Sequence, residues 1–184
     1  MACLPSVISR SFRISSLTQH MRQPRAVVIT ISDSASRGER HDASGPTARE
    51  ELLRIGCNVP EIHVLPDELI EIKNNLIRFS DREDVDLIVT TGGTGLAPRD
   101  VTPEATAAVI EKEVPGLAEL MRREGMKMTP RAALSRAMAG VRKKTLIINL
   151  PGSVKGVRES LSVVAPILSH ALEVVSGNTV RCGG

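Results

Sequence analysis

Aromatic side chains are almost missing from this chain of 184 residues, which has Phe12 and Phe79 but no Trp or Tyr. Single-stranded nucleic acid is usually gripped by stacking bases on aromatic rings, so no nucleic-acid partner is expected. Cysteine is also scarce, and Cys3, Cys57 and Cys182 lie far apart. An odd, scattered set excludes a disulfide framework and a CxxC zinc or redox site, and it fits a reducing, cytoplasmic location. His20, His41, His63 and His170 show no metal-ligand spacing. No apolar run approaches the ~20 residues that cross a bilayer, so no membrane partner is expected. Two nucleotide signatures are missing as well. No GK[ST] follows the glycine-rich loop, and the first apolar strand lacks GxGxxG, which argues against a P-loop protein and a nicotinamide enzyme.

Acidic residues are absent from the first 25 positions, which hold Arg10, Arg13, Arg22 and Arg25. The net charge of +3 therefore resides in that segment, and the remainder is about neutral. This composition permits an organellar transit peptide. A disordered tail, or a start at Met21, is the simpler reading. Residues 1–24 are accordingly expected to form a disordered extension and residues 25–184 a single domain.

An apolar fraction of 41% and a charged fraction of 24% suit one soluble domain with a substantial core. Residues 26–32, "AVVITIS", are β-branched and continuously apolar, as in a strand buried on both faces. Residues 46–55 read as a helix stopped by Gly56. A strand is expected over 59–65 and a helix over 68–80, where Leu69, Ile72, Leu76 and Phe79 share a face. A third strand follows over 86–91. The next helix is expected over 103–112, with Thr102 as N-cap and Pro103 at N1. Shorter helices are expected over 116–124 and 131–138, then a strand over 145–150. From Val157 the set Leu161, Val164, Leu168, Leu172 and Val175 keeps helical spacing, and Pro166 is expected to kink or split that helix. Alternating strands and helices predict an α/β fold with a mainly parallel sheet covered on both faces.

Ligands of such sheets bind outside the carboxyl ends of the strands. Here the four expected strands run into "SDSASRG", "LPDE", "TTGGTG" and "NLPGS". Gly92, Gly93 and Gly95 permit positive φ and close approach of a ligand to backbone N–H groups, an anion cradle suited to phosphate. "PGS" at Pro151, Gly152 and Ser153 opens the last helix at its electropositive end. Asp33, Asp67 and Asp100 each stand just past a strand end. Carboxylates beside a phosphate site point to an intervening Mg²⁺, or to recognition of a hydroxyl or ring N–H. Arg99, Arg136 and Lys155 are candidates to meet phosphate charge. Residue chemistry thus reaches a magnesium-dependent site for a phosphorylated ligand, such as a nucleotide, without naming a reaction.

"ISDSASRGERHDASG", "LPDE", "TTGGTGLAPRDVTPEAT", "LSRAMAGVRKKTLIINLPGS" and "VRESL" together resemble the molybdopterin adenylyltransferase family. That family takes in the bacterial MogA and MoaB proteins and the G domains of gephyrin and its plant counterpart. The resemblance runs from about residue 25 to 177, in order and without a large gap. It implies a three-layer α/β/α fold, assembled as a homotrimer or, in MoaB types, a hexamer. It implies transfer of AMP from Mg-ATP to the phosphate of molybdopterin with release of pyrophosphate, and delivery of the product to a MoeA-type molybdenum insertase. Family aspartates needed for catalysis match Asp67 and Asp100, which are also the expected Mg²⁺-side residues. Some MoaB proteins lack acids there; keeping both makes this chain MogA-like. Ser32, Asp33, Thr91, Gly92, Gly93, Thr94, Gly95, Arg99, Ser135, Arg136, Pro151, Gly152 and Ser153 are the expected substrate- and nucleotide-binding set. The sequence leaves two alternatives: a non-catalytic, MoaB-like pterin-binding or scaffold module, and a generic nucleotide-binding enzyme such as a small-molecule kinase.

Overall fold

The computed structural model describes residues 22–177. Most of the expected extension, including Met21, lies outside the described residues. Arg22 and Pro24, also assigned to it, hold to the domain: Arg22 pairs with Asp86 at 2.9 Å, and the Pro24 carbonyl accepts from the Asn58 amide.

Four strands form the parallel part of the sheet: β1 (Arg25–Ile31), β2 (Asn58–Leu65), β3 (Leu87–Thr91) and β6 (Thr145–Leu150). Two short strands, β4 (Lys112–Glu113) and β5 (Ala139–Arg142), extend it antiparallel beyond β6. The order is β2-β1-β3-β6-β5-β4. Successive side chains of a strand face opposite ways. Ala26 and Val28 of β1 therefore join one apolar layer, and Val27, Ile29 and Ile31 the other. β3 and β6 divide in the same manner, through Leu87 and Val89 against Ile88, and Leu146 and Ile148 against Ile147. The first layer is completed by α2 (Ser44–Ile55), α5 (Pro115–Met128) and α6 (Val154–Ser176), the second by α3 (Leu69–Ser80) and α4 (Thr102–Ala107). A one-turn helix, α1 (Asp33–Ser36), follows β1 directly. Each fully buried Leu, Ile or Val contributes about 1.5–3 kcal/mol, so covering both faces is what fixes the sheet.

Four local expectations are corrected. The helix expected over 103–112 ends at Ala107, because the chain is drawn into the sheet edge: Glu111 N–H donates to the Val141 carbonyl and Lys112 pairs with Val141. Thr102 is not its N-cap. Its hydroxyl instead donates to the Gly92 carbonyl at 3.0 Å. Residues 131–138 hold only a 3₁₀ turn, Pro130–Leu134, and the chain then extends into β5. Helix α6 runs unbroken through Pro166. Pro166 sits on the exposed face, while Leu161, Val164, Leu168 and Leu172 stay buried on the sheet.

Candidate active site

The strand order diverges between β1 and β3: the connection after β1 leads outward to β2, whereas β3 is followed by β6 on its other side. Such a switch point opens a crevice at the carboxyl ends of the strands. A cavity of about 510 Å³ lies there, and it brings together Ser32, Asp67, Gly92, Gly93, Asp100, Gly152 and Ser153. A second, more apolar cavity of about 560 Å³ adjoins it across Ser153. Thr94, Gly95, Ser135 and Pro151 line this one, beside Met121, Met128 and Leu134. Asp33, Thr91, Arg99 and Arg136 line neither cavity.

The loop between the two cavities is set by its glycines. Gly92 and Gly93 have φ of 97° and 62°. A side chain at Gly92 would meet the Ile31 carbonyl oxygen, and one at Gly93 would meet the Thr102 hydroxyl. Gly95 lies against the Asp100 carboxylate. The glycines thus serve the protein's own packing as well as open backbone. Thr102 holds the loop from one side through the Gly92 carbonyl, and the Gly93 carbonyl accepts from Thr102 N–H at 3.1 Å. Arg136 holds it from the other: its backbone amide donates to Thr94 O, and its guanidinium donates to the carbonyls of Gly95 and Asp100 and pairs with Glu104. Among the described residues the amides of Gly93, Thr94 and Gly95 have no hydrogen-bond acceptor, and neither do those of Gly152, Ser153, Val154 and Lys155 at the start of α6. Of these, Gly93 on one side and Gly152, Ser153 and Val154, at the positive end of a 23-residue helix, on the other line the first crevice, while Thr94, Gly95 and Lys155 line the adjoining cavity.

The carboxylates differ in how far they are committed. Asp33 is fully engaged: Arg99 grips it at 2.8 and 3.0 Å, and the Asp67 amide donates to it at 3.0 Å. The Arg99 hydrogen bonds hold its carboxyl below the usual Asp range. Asp67 accepts only from the Asp33 amide, at 2.8 Å through Oδ2. Burial raises its pKa, and the charges of Asp33 and Asp100 add to that effect. Asp100 accepts the Ala97 amide through Oδ2 at 2.8 Å. Asp67 and Asp100 thus each keep Oδ1 free at the same cavity. No three His, Cys, Asp or Glu side chains converge as a metal cluster among the described residues. Two hard oxygen donors beside backbone amides without acceptors do fit Mg²⁺, an ion that keeps several waters and needs only one or two carboxylates from the protein.

Several lining residues escaped the sequence reading. Asp42 is the main one: it accepts from the amides of Ser44 and Gly45 and from the hydroxyls of Ser44 and Thr30, so it caps α2 and ties it to the end of β1. An acid two residues before Ser-Gly-Pro was the available signal. Arg40 and His41 also line the crevice. Thr91 reaches its neighbours from below, sharing a 2.9 Å hydrogen bond with Ser44.

Residues 27–170 match a family described as a probable molybdopterin binding domain. The chain is 46% identical over 156 residues to a molybdopterin adenylyltransferase of Helicobacter pylori, covering 84% of this chain and 89% of that protein. It is 42% identical over 147 residues to the molybdopterin adenylyltransferase of Escherichia coli, covering 78% and 75%. Among solved structures, the molybdopterin biosynthesis enzyme MoaB of Thermus thermophilus superposes with a TM-score of 0.80 at 54% identity, covering 84% of this chain and 98% of that one.

Proposed function

The chain belongs to the molybdopterin adenylyltransferase family, and from that premise we propose how its residues divide the work. It acts in molybdenum cofactor biosynthesis as an adenylyltransferase. The donor is Mg-ATP. An oxygen of the molybdopterin phosphate attacks the α-phosphorus of ATP, a new P–O bond forms, the bond to the β-phosphate breaks, and pyrophosphate leaves. The nucleophile is already ionised at neutral pH, so no strong general base is required. The difficulty is to bring two anions together and hold them in line.

One observation carries this assignment: seven backbone amides without acceptors, at Gly93–Gly95 and at the start of α6, belong to residues lining two adjoining cavities, and four of them, at Gly93, Gly152, Ser153 and Val154, line the crevice shared with Asp67 and Asp100, whose Oδ1 atoms are uncommitted. The amides offset phosphate charge. Asp67 and Asp100 would hold Mg²⁺, which when bound neutralises charge on the ATP phosphates. The adjoining apolar cavity, with Met121, Met128 and Leu134, offers a ring-binding wall that needs no aromatic side chain. Ser153 stands at the junction and Ser32 lines the crevice, each capping the helix that follows it. The reading includes a homotrimer, with a hexamer as the other assembly of the family, a MoeA-type insertase as recipient of the product, and a cytoplasmic site of action. No helix among the described residues is long and apolar enough to cross a membrane.

Asp100→Asn tests the assignment. It retains the Oδ acceptor for the Ala97 amide, so the loop is kept. Turnover should fall by about 10²-fold or more, about 3 kcal/mol of transition-state stabilisation, while pterin affinity stays near the parent value. Near-parental turnover would make Asp100 a turn residue only.

A further inference from the structure

Asp33 and Arg99 contact Asp67 or its neighbours without lining the crevice, and every polar atom of the Asp33 carboxylate is already engaged by protein. We infer that Asp33 and Arg99 are positioning residues, a clamp that fixes the direction of the Asp67 carboxylate, rather than ligands of the nucleotide. This rests on the adenylyl-transfer reading only in taking Asp67 as the working acid.

The clamp is reciprocal. Asp33 N–H donates to Asp67 Oδ2 at 2.8 Å, and Asp67 N–H donates to Asp33 Oδ1 at 3.0 Å. Each acid thus fixes the other's backbone, and together they lash the end of β1 to the end of β2. One oxygen of Asp67 is spent in doing so, which leaves Oδ1 as the atom directed at the crevice. Oδ1 lies against the bare backbone of Gly93, where an added Cβ would stand 3.2 Å away. Asp33 holds its half of the bargain only if its own carboxylate cannot rotate. Arg99 supplies that restraint with a two-pronged grip, Nη2 to Oδ1 at 2.8 Å and Nε to Oδ2 at 3.0 Å. Planar guanidinium-to-carboxylate pairs fix geometry as well as charge. The third arm, Arg99 Nη1 to Glu68 at 2.8 Å, reaches the residue after Asp67. Arg99 lies on the loop after β3, so a single guanidinium ties three strand-end loops into one frame around Asp67. Its charge is shared between Asp33 and Glu68 and is not free for phosphate.

The consequence is specific: loss of the clamp should lower the chemical step and leave nucleotide binding alone. A misplacement of about 1 Å in a reacting constellation costs about 10²-fold. Arg99→Gln and Asp33→Ala should each lower kcat by about 10- to 100-fold and change KM and the affinity for ATP, read by calorimetry, by less than about twofold. The double variant should be no slower than the worse single one, since both remove one clamp. Added to Asp67→Asn, neither should cost a further factor. Crystal structures of the two single variants provide a readout independent of turnover: the Asp67 side chain should leave its present orientation. An Arg99→Gln variant that binds ATP tenfold more weakly at unchanged kcat would make Arg99 a phosphate ligand and overturn the inference. So would an Asp67 carboxylate that keeps its direction in both variants, or losses that multiply on the Asp67→Asn background. Parental turnover in Asp67→Asn alone would instead overturn the site assignment, while the crystal structures would still decide whether the clamp exists.

Discussion

Gly93→Ala is a sharp probe of the loop that separates the two cavities. Gly93 has φ of +62°, and an alanine Cβ there would stand 2.2 Å from the Thr102 hydroxyl oxygen. The left-handed conformation alone costs an L-residue about 1–2 kcal/mol. Thr102 must also swing away, breaking its 3.0 Å hydrogen bond and leaving the Gly92 carbonyl without its buried partner. That adds about 1–3 kcal/mol. The total of about 2–5 kcal/mol corresponds to a fall in Tm of about 5–15 °C for a domain of this size. Chemical denaturation of four proteins separates the parts: parent, Gly93→Ala, Thr102→Ala and the double variant. With Thr102 already shortened, Gly93→Ala should cost only the conformational share of about 1–2 kcal/mol. Gly38→Ala is the control, since Gly38 also has positive φ, at +72°, but no atom within 4 Å of the new Cβ. If Gly93→Ala cost the same in both Thr102 backgrounds, or no more than Gly38→Ala, the described loop geometry would be wrong.

The acid pair makes a pH prediction with opposite signs. Burial raises the folded-state pKa of Asp67 above its ordinary value, so its favourable contribution is present in acid and is lost as pH rises through the raised value. Asp67→Asn removes that loss, so the Tm of the variant minus that of the parent should increase between about pH 3 and pH 7. A decrease would contradict the assignment. Asp33, held low by Arg99, runs the other way: its contribution is present above the ordinary Asp pKa and is lost as pH falls through the depressed value. The assembly is expected to be a trimer, so light scattering at micromolar concentration should return three times the 19.8 kDa chain mass, and a monomer would contradict it.

The parts of this structure that a sequence can show are those with a strong local pattern. β1, β3 and β6 are buried on both faces and stand out as β-branched apolar runs. β4 and β5 do not, because edge pairing decides them. Their neighbour β6 is reached through Lys143 and Lys144, with Lys143 at φ 52°, and nothing in "RKKT" carries the Gly or Asn that usually marks such a turn. Thr102 before Pro103 looks like a helix cap, but the Gly92 carbonyl ten residues earlier claims its hydroxyl. The strand-end loops of the site were legible because glycines, prolines and acids crowd there. The employment of Arg99 and Arg136 was not. Their carboxylate partners Asp33, Glu68 and Glu104 stand 66, 31 and 32 residues away, and only the folded sheet brings them together. Asp42 was hidden for a similar reason, since one of its four bonds depends on Thr30 at the end of β1.

The most direct measurement is to incubate the full chain with Mg-ATP and molybdopterin and to detect the products by mass, with Asp67→Asn and Asp100→Asn run in parallel. The parent should form adenylylated molybdopterin and one equivalent of pyrophosphate, and both variants should form them at least about 10²-fold more slowly while still binding the pterin. A parent that binds molybdopterin and ATP but yields no adenylylated pterin would contradict the assignment of this crevice to adenylyl transfer.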